Sequence, residues 1–153
     1  MTRASRKYVL DTQLFINAFR DPAFNEELQQ FHRGFSPCEH VSVIVAQELR
    51  AGVRARDRKA LERHVLKVYE RASRTITLSR RVAPIRGSAR GDGAEGRIGD
   101  RPRLEGVRER RQLALSCREA GCILVTDNER DFQRIRRFVQ FDFTKPWPGR
   151  WVS

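Results

Sequence analysis

Tyr8-Val9-Leu10-Asp11-Thr12 is the stretch on which the fold turns. Its apolar run reads as a short buried strand, and Leu14, Phe15, Ala18 and Phe19 follow it at helical spacing. An acid at the C-terminal end of a buried strand is a costly place for a charge. It calls for a cation or a solvent-filled cleft. In open α/β sheets ligands gather outside the carboxyl ends of the strands, so Asp11 points to a metal-handling site.

Outward from this stretch the same alternation recurs. Asp21-Pro22 breaks the first helix, because proline disfavours the helical conformation in the residue before it. A second helix is expected from Pro22 to about Phe31, with Phe24, Leu28 and Phe31 on one face, and Gly34 and Ser36-Pro37 mark a loop. Val41 to Ile44 reads as a β-branched strand, and Val45 to about Ala55 as a helix carrying Glu48 and Leu49. Asp57 is the expected N-cap of a long helix through Leu61, Val65, Val68 and Tyr69, and Arg74 to Leu78 alternates as a strand. Further on, a helix from Gln112 through Leu113, Ala114 and Cys117 closes at Gly121. Cys122 to Thr126 is an apolar strand, Glu129 to Ile135 a short helix, and Phe138 to Phe141 a last strand. Strands alternating with helices predict an α/β fold, a parallel sheet covered on both faces.

The 153 residues fit one domain, 1–153, with one atypical Gly/Arg-rich segment at about 82–112. Between Val82 and Gly106 lie six of the ten glycines, two prolines and no apolar periodicity. Such a stretch is either a functional basic loop or sequence foreign to the fold. The net charge is +12, almost all of the positive charge being arginine, with lysine only at Lys7, Lys59, Lys67 and Lys145. That balance favours a polyanion or an acidic protein as partner. Cys38, Cys117 and Cys122 have no disulfide-framework or zinc spacing, and no segment reads as a signal peptide or membrane span. The expectation is a cytoplasmic protein with no membrane partner.

The acids fall at matching places. Asp11 ends the first strand, Glu48 lies early in the helix after the second, and Asp127, Asn128 and Asp131 follow the strand that ends at Thr126. Parallel strands bring these positions to one edge, where carboxylate oxygens are the donors Mg²⁺ or Mn²⁺ prefers. The ion in such a cluster activates water and stabilises charge on a phosphodiester. Plainer roles compete: Asp127 and Asp131 as caps of the next helix, and Glu48 as a surface charge paired with Arg50 or Arg54.

The motifs Tyr8-Val9-Leu10-Asp11-Thr12, Glu48-Leu49-Arg50-Ala51-Gly52, the helix from Leu113 to Gly121, and Leu124-Val125-Thr126 leading into Asn128 and Asp131-Phe132 resemble the PIN-domain family, in particular VapC-like toxins of toxin–antitoxin systems. The resemblance covers residues 7–79 and 113–141. It implies a three-layer α/β/α sandwich on a parallel sheet of four to five strands, and an Mg²⁺-dependent endoribonuclease. Carried over by motif, Asp11, Glu48 and Asp131 are catalytic acids, Asn128 joins Asp11, Glu48 and Asp131 as a metal ligand, and Thr126 and Asp127 support the site. An RNA substrate, a cognate antitoxin and homodimerisation are implied by the same likeness.

The family's third acid, usually in an Asn-Asp pair one turn before the Leu-Ala-Leu-Ser stretch, corresponds to position 110. Here it is Arg110, beside Glu109 and Arg111. Neighbouring helical residues point about 100° apart, so Glu109 is not expected to replace it. One coding of Glu109-Arg110-Arg111, GAA-CGA-CGC, read one base later begins AAC-GAC, Asn-Asp. Residues 82–112 are accordingly read as a frame-shifted segment, and the coding DNA decides it: other codons at Glu109-Arg110 remove the match.

Two functions from different classes follow. One is a metal-dependent endoribonuclease toxin impaired by the missing acid. The other is a catalytically inactive PIN-fold module that binds antitoxin or RNA. A DNA-directed metal nuclease ranks third. Phe19, Phe24 and Phe31 are expected in the core rather than on a partner surface, and Trp147 and Trp151 are expected to fold back on the sheet rather than to stack on bases.

Overall fold

The computed structural model describes residues 6–79 and 103–148. Strand β1 (Lys7–Leu10) leads through Asp11 into α1 (Thr12–Arg20). Asp21 accepts from the Ala23 N–H at 2.9 Å and, with Pro22 in the first turn, opens α2 (Pro22–Phe35). A turn at Ser36–Cys38 precedes β2 (Glu39–Ser42), and Ser42 caps α3 (Val43–Gly52) by accepting from the Ile44 N–H. The next helical rod is composite: α4 (Arg58–Leu61), a π-helical stretch Glu62–Leu66, and α5 (Lys67–Arg71). Short β3 (Thr75–Ile76) follows. After the undescribed residues come α6 (Arg103–Ala120), β4 (Cys122–Val125), α7 (Glu129–Arg136) and β5 (Asp142–Thr144). Gly121 closes α6 with φ of 65°, the left-handed conformation glycine adopts without strain.

All five strands are parallel, in the order β3-β2-β1-β4-β5. The order runs one way from β1 to β3 and the other way from β4 to β5. Right-handed crossovers therefore put the two sets of helices on opposite faces. The reversal lies between β1 and β4, whose ladder continues past Leu10 with the Asp11 N–H donating to the Val125 carbonyl at 2.9 Å. Val9, Leu10, Leu124 and Val125 are almost wholly buried there, against Leu14, Leu113, Ala114, Cys117 and Phe132. Among the described residues no helix is long and apolar enough to cross a membrane.

Several boundaries differ from the sequence reading. The second strand is Glu39–Ser42, not Val41–Ile44, because buried Glu39 is satisfied by others. Tyr69 donates to its Oε1 at 2.5 Å and His32 Nδ1 lies 2.6 Å from its Oε2. Removing the phenol leaves a buried carboxylate one donor short. Tyr69→Phe should therefore cost about 2 kcal/mol, read as a lowered urea midpoint with unchanged m-value.

Asp57 makes no cap hydrogen bond and ends a 3₁₀ turn. The last strand is Asp142–Thr144, not Phe138–Phe141. Residues 137–139 instead turn back on α7, with the Phe138 and Val139 N–H groups both donating to the Ile135 carbonyl. Phe31 is in the core, Phe24 packs against it, and Phe19 is exposed, since it lies at the outer end of α1. Trp147 does fold back: it packs on Phe24 and Phe31 and donates to Glu27 at 2.8 Å. Trp151 and residues 80–102 lie outside the described residues. The helix expected from Gln112 begins at Arg103, because Leu104, Glu105, Arg108, Glu109 and Arg110 are good helix formers that carry no apolar stripe.

Candidate active site at the carboxyl edge of the sheet

Asp11 leaves β1 at the strand-order reversal and is buried, 8% exposed. Its Oδ2 accepts from Thr126 Oγ1 at 2.8 Å, and that hydroxyl oxygen in turn accepts from the Asn128 N–H at 3.0 Å. Thr126, itself fully buried just after β4, thus ties the two central strand ends together. Burial pushes the Asp11 carboxyl above its ordinary pKa. The Thr126 hydrogen bond and the Thr12 backbone N–H oppose that, the Asp127 charge adds to it, and the Arg110 charge works against it.

Glu48 reaches the same edge from α3. Thr12 Oγ1, in the first turn of α1, donates to its Oε2. Arg50 turns away to Glu62 and Glu70, so the surface ion pair proposed for Glu48 does not form. The Glu48 pKa is raised to about 7, first by burial and then by Glu109, whose carboxyl hydrogen-bonds to it and repels its charge. Glu48 is thus largely protonated below neutral pH, and a cation binding there would displace that proton. Mg²⁺ should therefore bind about tenfold more tightly at pH 8 than at pH 6, in a calorimetric titration repeated across that range. A flat profile would show that Glu48 takes no part in metal binding.

Glu109 is the residue the sequence reading set aside. The structure turns both neighbours of the α6 register toward the site. Glu109 reaches Glu48, while Arg110 Nη1 lies 2.8 Å from Asp131 Oδ2. Long side chains on adjacent helical positions can reach either side of an open groove even though their Cβ atoms diverge. The only sequence signal was a carboxylate in the same turn as the expected acid.

Asp131 stands in the first turn of α7 and accepts from Asn128 Nδ2 at 3.0 Å as well as from Arg110, with Arg134 Nη1 at 3.9 Å. Asn128 occupies the N-cap position of α7 without a side-chain cap hydrogen bond. Asp127 caps nothing; its Oδ2 accepts from Asn17 Nδ2 at 3.2 Å. One edge of the sheet therefore carries Asp11, Glu48, Glu109, Asp127 and Asp131, with Arg110 among them.

Among the described residues no three His, Cys, Asp or Glu side chains are disposed to enclose a metal ion. The oxygen-only donors suit a hard cation that keeps most of its water and is held by one or two carboxylates, which is how Mg²⁺ usually binds. Among the acids of this edge, Asp131 differs in being paired with Arg110 at 2.8 Å.

No family model and no curated protein sequence matches the chain. Solved structures do. One is FitAB bound to an IR36 DNA fragment, at a TM-score of 0.58 and 20% identity, covering 92% of this chain and 95% of that one. Another is VapBC2 from Rickettsia felis bound to a DNA fragment from their promoter, at a TM-score of 0.50 and 17% identity, covering 92% and 98%. At such identities the likeness is one of fold. The five-stranded parallel sheet between helical layers is a PIN-like α/β/α sandwich.

Proposed function

We propose that the chain is a Mg²⁺-dependent endoribonuclease toxin of a toxin–antitoxin pair, weakened by the arginine at position 110. The observation that carries the reading is the meeting of Asp11 and Glu48, remote in sequence, at the reversal point of the sheet. Each is fixed by a threonine hydroxyl. Asp11 and Glu48 would hold the ion, which would supply an activated water and charge stabilisation on a phosphodiester. Mn²⁺ suits the same oxygen donors.

The protein's own part is positional and protonic. Thr126 and Thr12 fix the two acids. Glu48, at a pKa of about 7 in the metal-free protein, would give up its proton when the ion binds. Asp131 is held at the start of α7 by Arg110 and Asn128.

The net charge of +12 supports RNA as the substrate. The fold shared with FitAB and VapBC2 supports a cognate antitoxin as partner; a homodimer in the cytoplasm is part of the same proposal, carried by the motif resemblance alone. The Arg110–Asp131 pair favours a second reading, an inactive PIN-like module that keeps only its binding role. Cleavage of an RNA by this chain in Mg²⁺ against EDTA tests the first reading. Chelator-sensitive cleavage is expected, and equal background rates in both would leave the inactive module.

A further inference from the structure

We infer that α7 and the turn after it form a track for single-stranded RNA leading away from the acidic site. Arg130, Arg134 and Arg137 recur at helical spacing and share one face, all three exposed. The opposite face is apolar, with Phe132 fully buried and Ile135 packed against the core. Arg130 and Arg137 make no ion pair with any described residue, and Arg134 only approaches Asp131, at 3.9 Å. This contrasts with Arg50, locked by Glu62 and Glu70, and Arg110, seated on Asp131 at 2.8 Å. Two unpaired cations and a third held only by a long 3.9 Å pair, all on one line, are an electrostatic footprint for a phosphate backbone.

The two ends of the line say what kind of polyanion fits. It begins at Arg130, in the first turn of α7 next to Asp131 of the candidate site. It ends at Phe138, an aromatic that is 84% exposed next to buried Val139. The turn that sends Val139 and Phe141 inward sends Phe138 out. Arg136, two residues before it, is taken up elsewhere: its guanidinium lies 5.6 Å from the Phe143 ring centre and 3.9 Å from Asp142. An exposed ring at the end of an arginine line offers a face on which an unpaired base can stack, which a duplex or an acidic protein does not need. Seven residues of helix at about 1.5 Å each make the line roughly 10 Å long, a run of successive phosphates rather than a single anion site.

The inference takes RNA as substrate from the nuclease reading, but its test is independent of cleavage. Binding of a labelled single-stranded RNA oligonucleotide is measured in EDTA over a salt series. Changing Arg130, Arg134 and Arg137 together to Ala should reduce the slope of log affinity against log salt by about 2, at ~0.7 per phosphate contact. Phe138→Ala should lower affinity about tenfold and leave that slope unchanged. The charge-matched control Arg56→Ala, Arg58→Ala, Arg63→Ala should leave affinity near that of the parent.

Equal losses in the control and the α7 variant would show only non-specific attraction and overturn the track. So would unmoved RNA binding with weakened binding of a polyglutamate peptide, which would give the surface to an acidic protein. Unchanged melting temperatures establish that the variants fold. A chain that binds RNA along α7 yet cleaves nothing keeps the track and loses the nuclease. One that cleaves normally without these arginines does the reverse.

Discussion

Asp11→Asn should lower Mg²⁺-dependent RNA cleavage by at least about 100-fold while making the metal-free protein more stable. The loss follows from the position of Asp11 as the most buried acid of the candidate site, where no neighbour can take its place without rebuilding the end of β1. A metal's stabilisation of transition-state charge amounts to several kcal/mol, and each 1.36 kcal/mol is a factor of ten. Asparagine keeps the shape and still accepts from Thr126, so the fold is not at risk.

The gain in stability has a definite sign. The folded-state pKa of Asp11 is raised, so between its unfolded and folded values the native state binds more protons than the unfolded chain. Stability is then lost as pH rises through the folded pKa. The variant removes that loss, and its melting temperature should exceed the parent's more at pH 8 than at pH 5. Undiminished cleavage by the variant would remove the acidic edge as the catalytic site. A pH-independent difference in melting temperature would contradict the electrostatic account of Asp11.

Arg110→Asp should raise Mg²⁺ affinity by about tenfold or more, the scale on which groups supporting metal ligands act. The parent guanidinium lies 2.8 Å from Asp131 and its charge also reaches Asp11. Replacing it releases the Asp131 carboxylate and adds another. Arg110→Ala, which releases Asp131 and adds nothing, should fall between parent and Arg110→Asp. Without metal the Asp variant places a new negative charge beside Asp131, so its melting temperature should drop and recover on adding Mg²⁺, since an ion that binds only the folded state stabilises it. Mn²⁺ titration followed by electron paramagnetic resonance reads affinity directly, whether or not RNA is cut. Equal affinities in all three proteins would show that Arg110 has no influence on the ion. A gain in affinity with no cleavage would support the inactive module.

The parts of the fold legible in the sequence are those with a local cause. The apolar Tyr8-Val9-Leu10 run, the helical spacing after Asp11, the Asp21-Pro22 break and the Gly121 stop each act through neighbours in the chain. The misplaced elements are those with a distant cause. Strand β2 starts at Glu39 because a histidine from α2 and a tyrosine from α5 satisfy its carboxylate. The 138–141 stretch, aromatic and β-branched, is not a strand because its first two N–H groups, of Phe138 and Val139, close onto Ile135 of α7. Helix α6 extends back to Arg103 without an apolar stripe to announce it.

The sequence by itself determined the alternation of strands and helices. It thereby determined that Asp11, Glu48, Asn128 and Asp131 would lie toward one edge, because parallel strands all end on the same side. Only the tertiary structure decided which of these side chains meet. It joined Asp11 to Thr126, gave Glu48 to Thr12 and Glu109, and set Arg110 on Asp131. Periodicity places a residue on a face of its helix. The reach and partner of its side chain depend on how that helix rolls against its neighbours, which no single stretch of sequence contains.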